Sequence, residues 1–178
     1  MDLQEAIDLL KNNNYLVETD INAPIRECTR EEVEKAVCYT HYHIYSKEYL
    51  HLDQSSEKEI LQRYQWAVEP YLRLYDSDDL LHAYTIDGNQ CFLLIKPRSE
   101  YETTNYLALA YINPEARGTG LAARLLQKCI DDSPNGLRLD TLKDNVAMNK
   151  LAKKLGFKRL NKSSRSSIYA HYLYKKEI

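Results

Sequence analysis

Ile112-Asn113-Pro114-Glu115-Ala116-Arg117-Gly118-Thr119-Gly120-Leu121-Ala122 is the stretch on which the fold of this chain turns. An apolar run, Tyr106 to Ile112, leads into it, and a helical pattern, Leu121, Leu125, Leu126, Cys129 and Ile130, leads out. A strand that ends, turns through small residues and becomes a helix leaves several backbone N–H groups free at the helix start. With the positive end of the helix dipole they make an anion site. Gly118 and Gly120 carry no Cβ, so a ligand can approach the backbone closely, and Arg117 adds a permanent positive charge. The stretch reads as a phosphate cradle.

Outward from it, the chain alternates in a way that fixes the class. Leu80–Ile86 and Gln90–Lys96 read as strands joined by a hairpin turn at Asp87-Gly88-Asn89. Ser99 to Asn105 is a polar loop before the strand that enters the cradle. After the cradle helix come a turn at Ser133-Pro134-Asn135-Gly136, a strand over Leu137–Leu142 and a helix over Asn145–Leu155, closed by Gly156. Two last strands, near Lys158–Asn161 and Ile168–Lys175, flank a polar loop. Upstream, Leu3, Ile7 and Leu10 mark a short amphipathic helix over residues 2–11, and residues 15–26 read as extended. Thr29-Arg30-Glu31-Glu32 is a capping box that starts a helix running to about Leu50. Ser56-Glu57-Lys58-Glu59 starts another, which Pro70 is expected to end or break near Glu69. Helices first, then an antiparallel meander, then β-α-β-α-β-β predict an α/β class protein with a mixed (α+β) sheet and helices on both faces.

Composition bounds the rest. The 178 residues suit one domain, here 15–178, preceded by a helical extension over 1–14. A net charge of −2 with interspersed signs gives no footprint for nucleic acid. No apolar run is long enough to span a bilayer, and the acidic start Met1-Asp2-Leu3-Gln4-Glu5 has no signal core, so no membrane association or export is expected. Cys28, Cys38, Cys91 and Cys129 are widely spaced and read as free thiols, which places the protein in the cytoplasm. His41, His43 and His51 lack the i, i+4 spacing of a ligand pair, and no metal site is expected.

Two blocks carry a family resemblance. Arg117-Gly118-Thr119-Gly120-Leu121-Ala122 matches the R/Q-x-x-G-x-G/A signature of the GNAT superfamily of N-acetyltransferases. Leu137-Arg138-Leu139-Asp140-Thr141, then Asn145, Met148, Leu151 and Leu155-Gly156-Phe157, resemble that family's strand followed by N-x-x-A-x-x-L-Y-x-x-x-G-F. The blocks stand in the family's order and separation, and the resemblance is clear over residues 80–160. It implies a GNAT-like acyl-CoA N-acyltransferase fold, with a mostly antiparallel sheet whose strands splay apart at the cradle. It also implies acetyl-CoA as cosubstrate. Residues 117–122 would then hold the pyrophosphate, and Ala110, Tyr111 and Ile112 the pantetheine arm. Asn145 would face the cofactor, although its residue type also suits a plain helix cap.

Acetyl transfer to an amine has physical demands of its own. An alkylamine of ordinary pKa is more than about 99% protonated at pH 7, so a base must take a proton. The oxyanion needs donors, and a backbone N–H near Tyr111 or Ile112 is the natural supplier. Asp140 is the candidate base: alternation sets Arg138, Asp140 and Leu142 on one face of their strand, away from Leu137, Leu139 and Thr141. The same position also suits a plain ion pair with Arg138. His82 and Tyr84 are further candidates. The tyrosine that the family often uses as general acid is replaced by Ala152. Tyr169, Tyr172 and Tyr174 on the last strand remain as sources of that proton.

Tyr39, Tyr42, Tyr45 and Tyr49, with Tyr64, Tyr71 and Tyr75 on the next helix, form a stripe suited to half-buried packing. The resemblance also makes them a wall for a cationic or aromatic acceptor. The expected activity is direct acetyl transfer to a primary amine, on a small molecule or a peptide. A homodimer is a further expectation of the family. Two alternatives stay open: a CoA-binding domain that no longer catalyses, kept open by Ala152, and a mononucleotide site. The latter lacks the G-K-[S/T] ending of a P-loop.

Overall fold

The computed structural model describes residues 19–45, 56–160 and 168–175. The sheet is organised around a strand buried along its whole length, Gln90–Ile95. In chain order the strands are β1 (Arg26–Glu27), β2 (Leu80–Thr85), β3 (Gln90–Ile95), β4 (Asn105–Ile112), β5 (Leu137–Leu142), β6 (Lys158–Arg159) and β7 (Tyr169–Tyr174). The helices are α1 (Arg30–Tyr45), α2 (Glu57–Tyr75), α3 (Leu121–Asp131) and α4 (Val146–Lys154). The seven strands lie in the order β1-β2-β3-β4-β5-β7-β6. Every neighbouring pair is antiparallel except β4 and β5, which the α3 crossover makes parallel.

Two cores form on opposite faces, as the alternation within each strand requires. On one, Val33, Val37, Val68 and Leu72 of α1 and α2 pack on Ala83, Cys91, Leu93, Leu109 and Tyr111. On the other, α3 and α4 pack on Tyr84, Phe92, Leu94, Leu107, Leu137 and Leu139. The apolar stripe read on α3 is the buried one: Leu121, Leu125, Leu126, Cys129 and Ile130 are each at most 1% exposed. Such burial stabilises by about 1.5–3 kcal/mol for each large aliphatic side chain. All four cysteines are buried and free.

Both capping boxes form. The Glu32 amide donates to Thr29 Oγ1 at 3.2 Å, while the Thr29 amide donates to the Glu32 carboxylate at 2.8 Å. The Ser56–Glu59 pair repeats this reciprocity. Two expectations are corrected. First, α2 does not stop at Pro70 but runs through it to Tyr75. The proline sits on the exposed side, and buried Ala67, Val68 and Leu72 on either side of it dock against the sheet, so tertiary packing carries the helix across the missing donor. Second, residues 20–23 turn rather than extend, with the Ala23 amide donating to the Asp20 carbonyl at 3.1 Å. The proposed helix over 2–11, the extension over 1–14 and the end of α1 beyond Tyr45 lie outside the described residues. Among the described residues, no helix is long and apolar enough to cross a membrane.

Candidate functional site

The cradle has the form that its residues dictate. After β4, Asn113 opens a single 3-10 turn, Pro114–Ala116, and the chain then passes through Gly118 at φ +79° and Gly120 at φ +87° into α3. Both glycines are in the left-handed region, where a Cβ is disfavoured. Yet a Cβ built on either would meet no atom within 4 Å, so the turn is open on the side where a ligand would sit. Gly120 is the N-cap of α3 and offers no side chain to the helix start. Among the described residues, no protein acceptor takes the N–H groups of Gly118 to Ala123. Arg117 is exposed beside them, its Nε donating to the Ile112 carbonyl at 3.3 Å.

The strand that feeds the cradle leaves its neighbour part-way. β4 and β5 pair only through Asn105↔Leu137, Tyr106↔Arg138 and Leu107↔Leu139. Beyond Leu107 a bulge interrupts the β3–β4 register, and Ala108 to Ile112 continue along β3 with no strand partner on the β5 side among the described residues. A bulge bends and twists a strand, so β4 and β5 diverge into a V. Backbone polar groups on the inner edge of that V are free for a ligand that pairs like a strand. Asn149 holds the far arm in place. Its Nδ2 donates to the Leu142 carbonyl at 2.9 Å, and its Oδ1 accepts from the Tyr172 hydroxyl at 2.7 Å.

At the vertex of the V, polar side chains converge on the α1–α2 face of the sheet. Asp140 lies 2.5 Å from His171 Nδ1 through one oxygen, and its other oxygen accepts from the Tyr106 hydroxyl at 3.2 Å. The Arg98 guanidinium stacks 3.5 Å from the centre of the Tyr106 ring. Burial, reinforced by the Asp140 charge, pushes the Tyr106 phenol well above its ordinary range, so it stays a donor. Arg138 pairs with Glu102, at 2.5 Å, rather than with Asp140.

The family model for the Acetyltransferase (GNAT) family matches residues 39–157, about two thirds of the chain. The chain belongs to that family. Its fold is that of solved acetyltransferases. The N-acetyltransferase PaiA of Thermoplasma acidophilum, solved in complex with coenzyme A, is 17% identical with a TM-score of 0.57, over 86% of this chain and 98% of that one. An N-acetyltransferase of Staphylococcus aureus Mu50 is 19% identical with a TM-score of 0.55, over 86% and 98%. A protein of Pyrococcus horikoshii OT3 is 16% identical with a TM-score of 0.61, over 87% and 99%. No curated protein sequence matches significantly.

In this GNAT chain the residues singled out from sequence fall into three groups. Arg117 to Ala122 form the cradle, and Ala110, Tyr111 and Ile112 form the β4 arm of the V. Ala110 is exposed and Tyr111 is buried against the Tyr39 ring at 5.9 Å, with a buried hydroxyl that has no hydrogen-bond partner among the described residues. Asn145 is exposed at the start of α4 and caps it, its side chain accepting from the Met148 amide at 3.1 Å. Asp140 stands at the vertex. His82 and Tyr84 stand apart on β2, committed to Glu27 and Asp132 respectively. Of the last-strand tyrosines, Tyr172 is spent on Asn149, and Tyr174 packs on Phe157. Ala152 is fully buried in the α3–α4 core.

Sequence reasoning missed three participants. His171 reaches Asp140 only through the β5–β7 register, Asp140↔His171. Strand alternation could have found its face, since Ala170 and Tyr172 are the buried residues beside it. Tyr106 was read only as the start of an apolar run. Gln90, fully buried, ties the β2–β3 hairpin to the cradle entry: its Oε1 accepts from the Ile86 amide at 3.2 Å, and its Nε2 donates to Asn113 Oδ1 at 3.1 Å.

Proposed function

We propose that this GNAT protein transfers an acetyl group from acetyl-CoA to a primary amine by direct attack. One observation carries the reading: β4 runs into a glycine turn at an uncapped helix start, and its edge, just before that turn, parts from β5. A ligand with a pyrophosphate joined to an amide-containing arm matches both features at once. Gly118 to Ala123 would offer N–H groups to the pyrophosphate, with Arg117 beside them, and Ala110, Tyr111 and Ile112 would line the arm. Asn145, at the start of α4, would contact the cofactor with the side-chain amide hydrogens left over from capping. Acetyl-CoA supplies an activated acetyl group, a thioester that an uncharged amine can attack. The protein's own part is to hold that group at the vertex, to offer a β4 N–H to the developing oxyanion and to draw the amine's proton toward Asp140. The buried free thiols fit a reducing cytoplasm.

Calorimetric titration with acetyl-CoA, followed by thiol release against a panel of small amines and peptide N-termini, tests the reading. Saturable binding and amine-dependent release are expected. Absence of binding overturns it. Tight binding with no release on any amine favours instead a CoA-binding module that does not catalyse, the reading to which buried Ala152 lends weight.

A further inference from the structure

Resting on the acetyl-transfer reading, we infer that His171 is the group that accepts the amine's proton, and that Asp140 is the residue that orients it. Asp140 is poorly placed to be the base itself. One of its oxygens is engaged by His171 Nδ1 and the other by the Tyr106 hydroxyl, so each already has a hydrogen-bond partner before an amine arrives. The same contacts make it a good holder. A carboxylate that accepts from Nδ1–H fixes the imidazole tautomer and leaves Nε2 as the free lone pair. The Tyr106 bond anchors the second oxygen from β4, so the carboxylate is clamped between β4 and β7. The His171 side chain is 18% exposed, enough to meet a substrate and little enough to keep one orientation.

His171, Asp140 and Tyr106 line a cavity of about 80 Å³ with Arg98, Arg138 and Leu160. That is room for a few waters or the end of an amine chain. The cavity lies on the α1–α2 face, at the level where β4 and β5 part. The charged and titratable groups facing His171 among the described residues are Asp140 and Arg138 on β5, Tyr106 on β4, and Arg98 and Glu102 in the segment before it. Lys158 on β6 shares the face through its register with Leu173. Arg138 is paired with Glu102 and Arg98 is stacked on Tyr106, which leaves Asp140 as the carboxylate in contact with the imidazole.

The step balances as follows. The amine nitrogen forms a bond to the acetyl carbon, the carbon–sulfur bond breaks, and its electron pair leaves on sulfur as the thiolate. The proton lost by the amine goes to His171 Nε2, directly or through one water, and the resulting imidazolium is held beside the Asp140 carboxylate. Return of that proton to solvent or to the thiolate resets the site.

Long-range proton–nitrogen NMR on the full labelled chain provides a readout independent of turnover. The Nδ1–H tautomer is expected, and acetyl-CoA should shift the His171 Nε2 signal. Adenosine 3′,5′-bisphosphate, a probe that lacks the pantetheine arm and the thioester, should leave it in place. In thiol-release assays His171→Gln should lose about 100-fold in rate or more. It should also lose the acid limb of the pH–rate profile, with acetyl-CoA affinity unchanged. Asp140→Asn, which keeps the shape of the carboxylate, should displace that limb and scramble the tautomer. Free imidazole should restore part of the activity of His171→Ala. An unaltered pH profile in His171→Gln, or an Nε2 signal indifferent to acetyl-CoA in a protein that binds it, overturns the inference while sparing acetyl transfer. Failure of the unmutated protein to bind acetyl-CoA, or to turn over any amine, overturns both.

Discussion

In a Gly120→Ala variant, a methyl group enters a residue held at φ +87°, in space where no protein atom lies within 4 Å. The fold therefore meets backbone strain but no clash. Left-handed strain costs about 1–2 kcal/mol, offset by about 0.4–1 kcal/mol because alanine restricts the unfolded chain. The net loss is about 1 kcal/mol. At roughly 2.1 cal/mol/K per residue, 178 residues give an unfolding entropy of about 0.37 kcal/mol/K, so the melting temperature should fall by about 3 °C. Binding should suffer far more. Displacing an anion from one charge-assisted N–H contact, worth about 1.5–3 kcal/mol, weakens acetyl-CoA binding about 10- to 100-fold. Gly120→Glu adds a like charge near the pyrophosphate, and at about 4 Å and an effective dielectric of about 20 one charge pair repels by about 4 kcal/mol. That variant should stay folded and bind no acetyl-CoA at millimolar concentration. Gly136→Ala is the control. Its Cβ would stand 2.4 Å from the Tyr174 carbonyl oxygen, so the cost falls on the fold, with a loss of several kcal/mol. Calorimetry and thermal melting of the three variants separate the two effects. Gly120→Glu protein that binds acetyl-CoA within threefold of the parent would refute the cradle.

Three other expectations use the same instruments. Glu32 holds Arg26 through two bonds, of 2.9 and 2.7 Å, and caps α1 through the Thr29 amide. The Arg26 bonds, helped by that amide and opposed by burial, hold its carboxyl below the usual 4.5. The folded value is depressed, so the stability it adds is full above that usual value and is lost as pH falls through the folded one. Glu32→Gln should therefore melt about 3–6 °C lower at pH 7, with the gap closing in acid; a gap independent of pH contradicts the assignment. Tyr111→Phe removes a buried hydroxyl that has no hydrogen-bond partner among the described residues. It should leave the ligand-free protein as stable or raise its stability by about 1 kcal/mol, and a loss of that size would reveal a partner for the hydroxyl. Gln90→Leu should cost about 3 kcal/mol or more by stranding the Ile86 amide and Asn113 Oδ1, and should weaken acetyl-CoA binding because Asn113 opens the cradle turn. Unchanged binding in the folded variant would show that the bracket does not position the cradle.

What could be read in advance was local. The strand–turn–helix at Ile112–Ala122 is legible because its parts follow one another within the chain, so its free N–H groups are neighbours in sequence. Asp140 was legible as a face because strand alternation has a period of two, and the structure keeps Leu137, Leu139 and Thr141 buried opposite it. His171 was not. It stands 31 residues away on a strand whose pairing register leaves no mark in composition. The bulge near Ala108 was equally invisible, because it exchanges faces between Leu107 and Leu109 without altering the apolar run. Pro70 misled for the converse reason: a strong local signal was outweighed by packing that the local sequence does not display.

The divergence of β4 from β5 also has a consequence for how the molecule comes apart. Among the described residues, three residue pairs are the only ladder joining the four strands on one side to the three on the other. The rest of the coupling runs through α3, α4 and their shared core, and through the Tyr106–Asp140 and Glu102–Arg138 side-chain contacts. Such a seam divides a sheet into two cooperative units, and those amides between Ala108 and Ile112 that face the open edge rather than β3 should exchange with solvent far faster than the amides of Gln90–Ile95. A ligand that lies in the seam and bonds to both arms would act as an eighth strand. Its arrival should be visible as slowed exchange along that edge and as a steeper, more unified denaturant transition, even in a variant with no turnover.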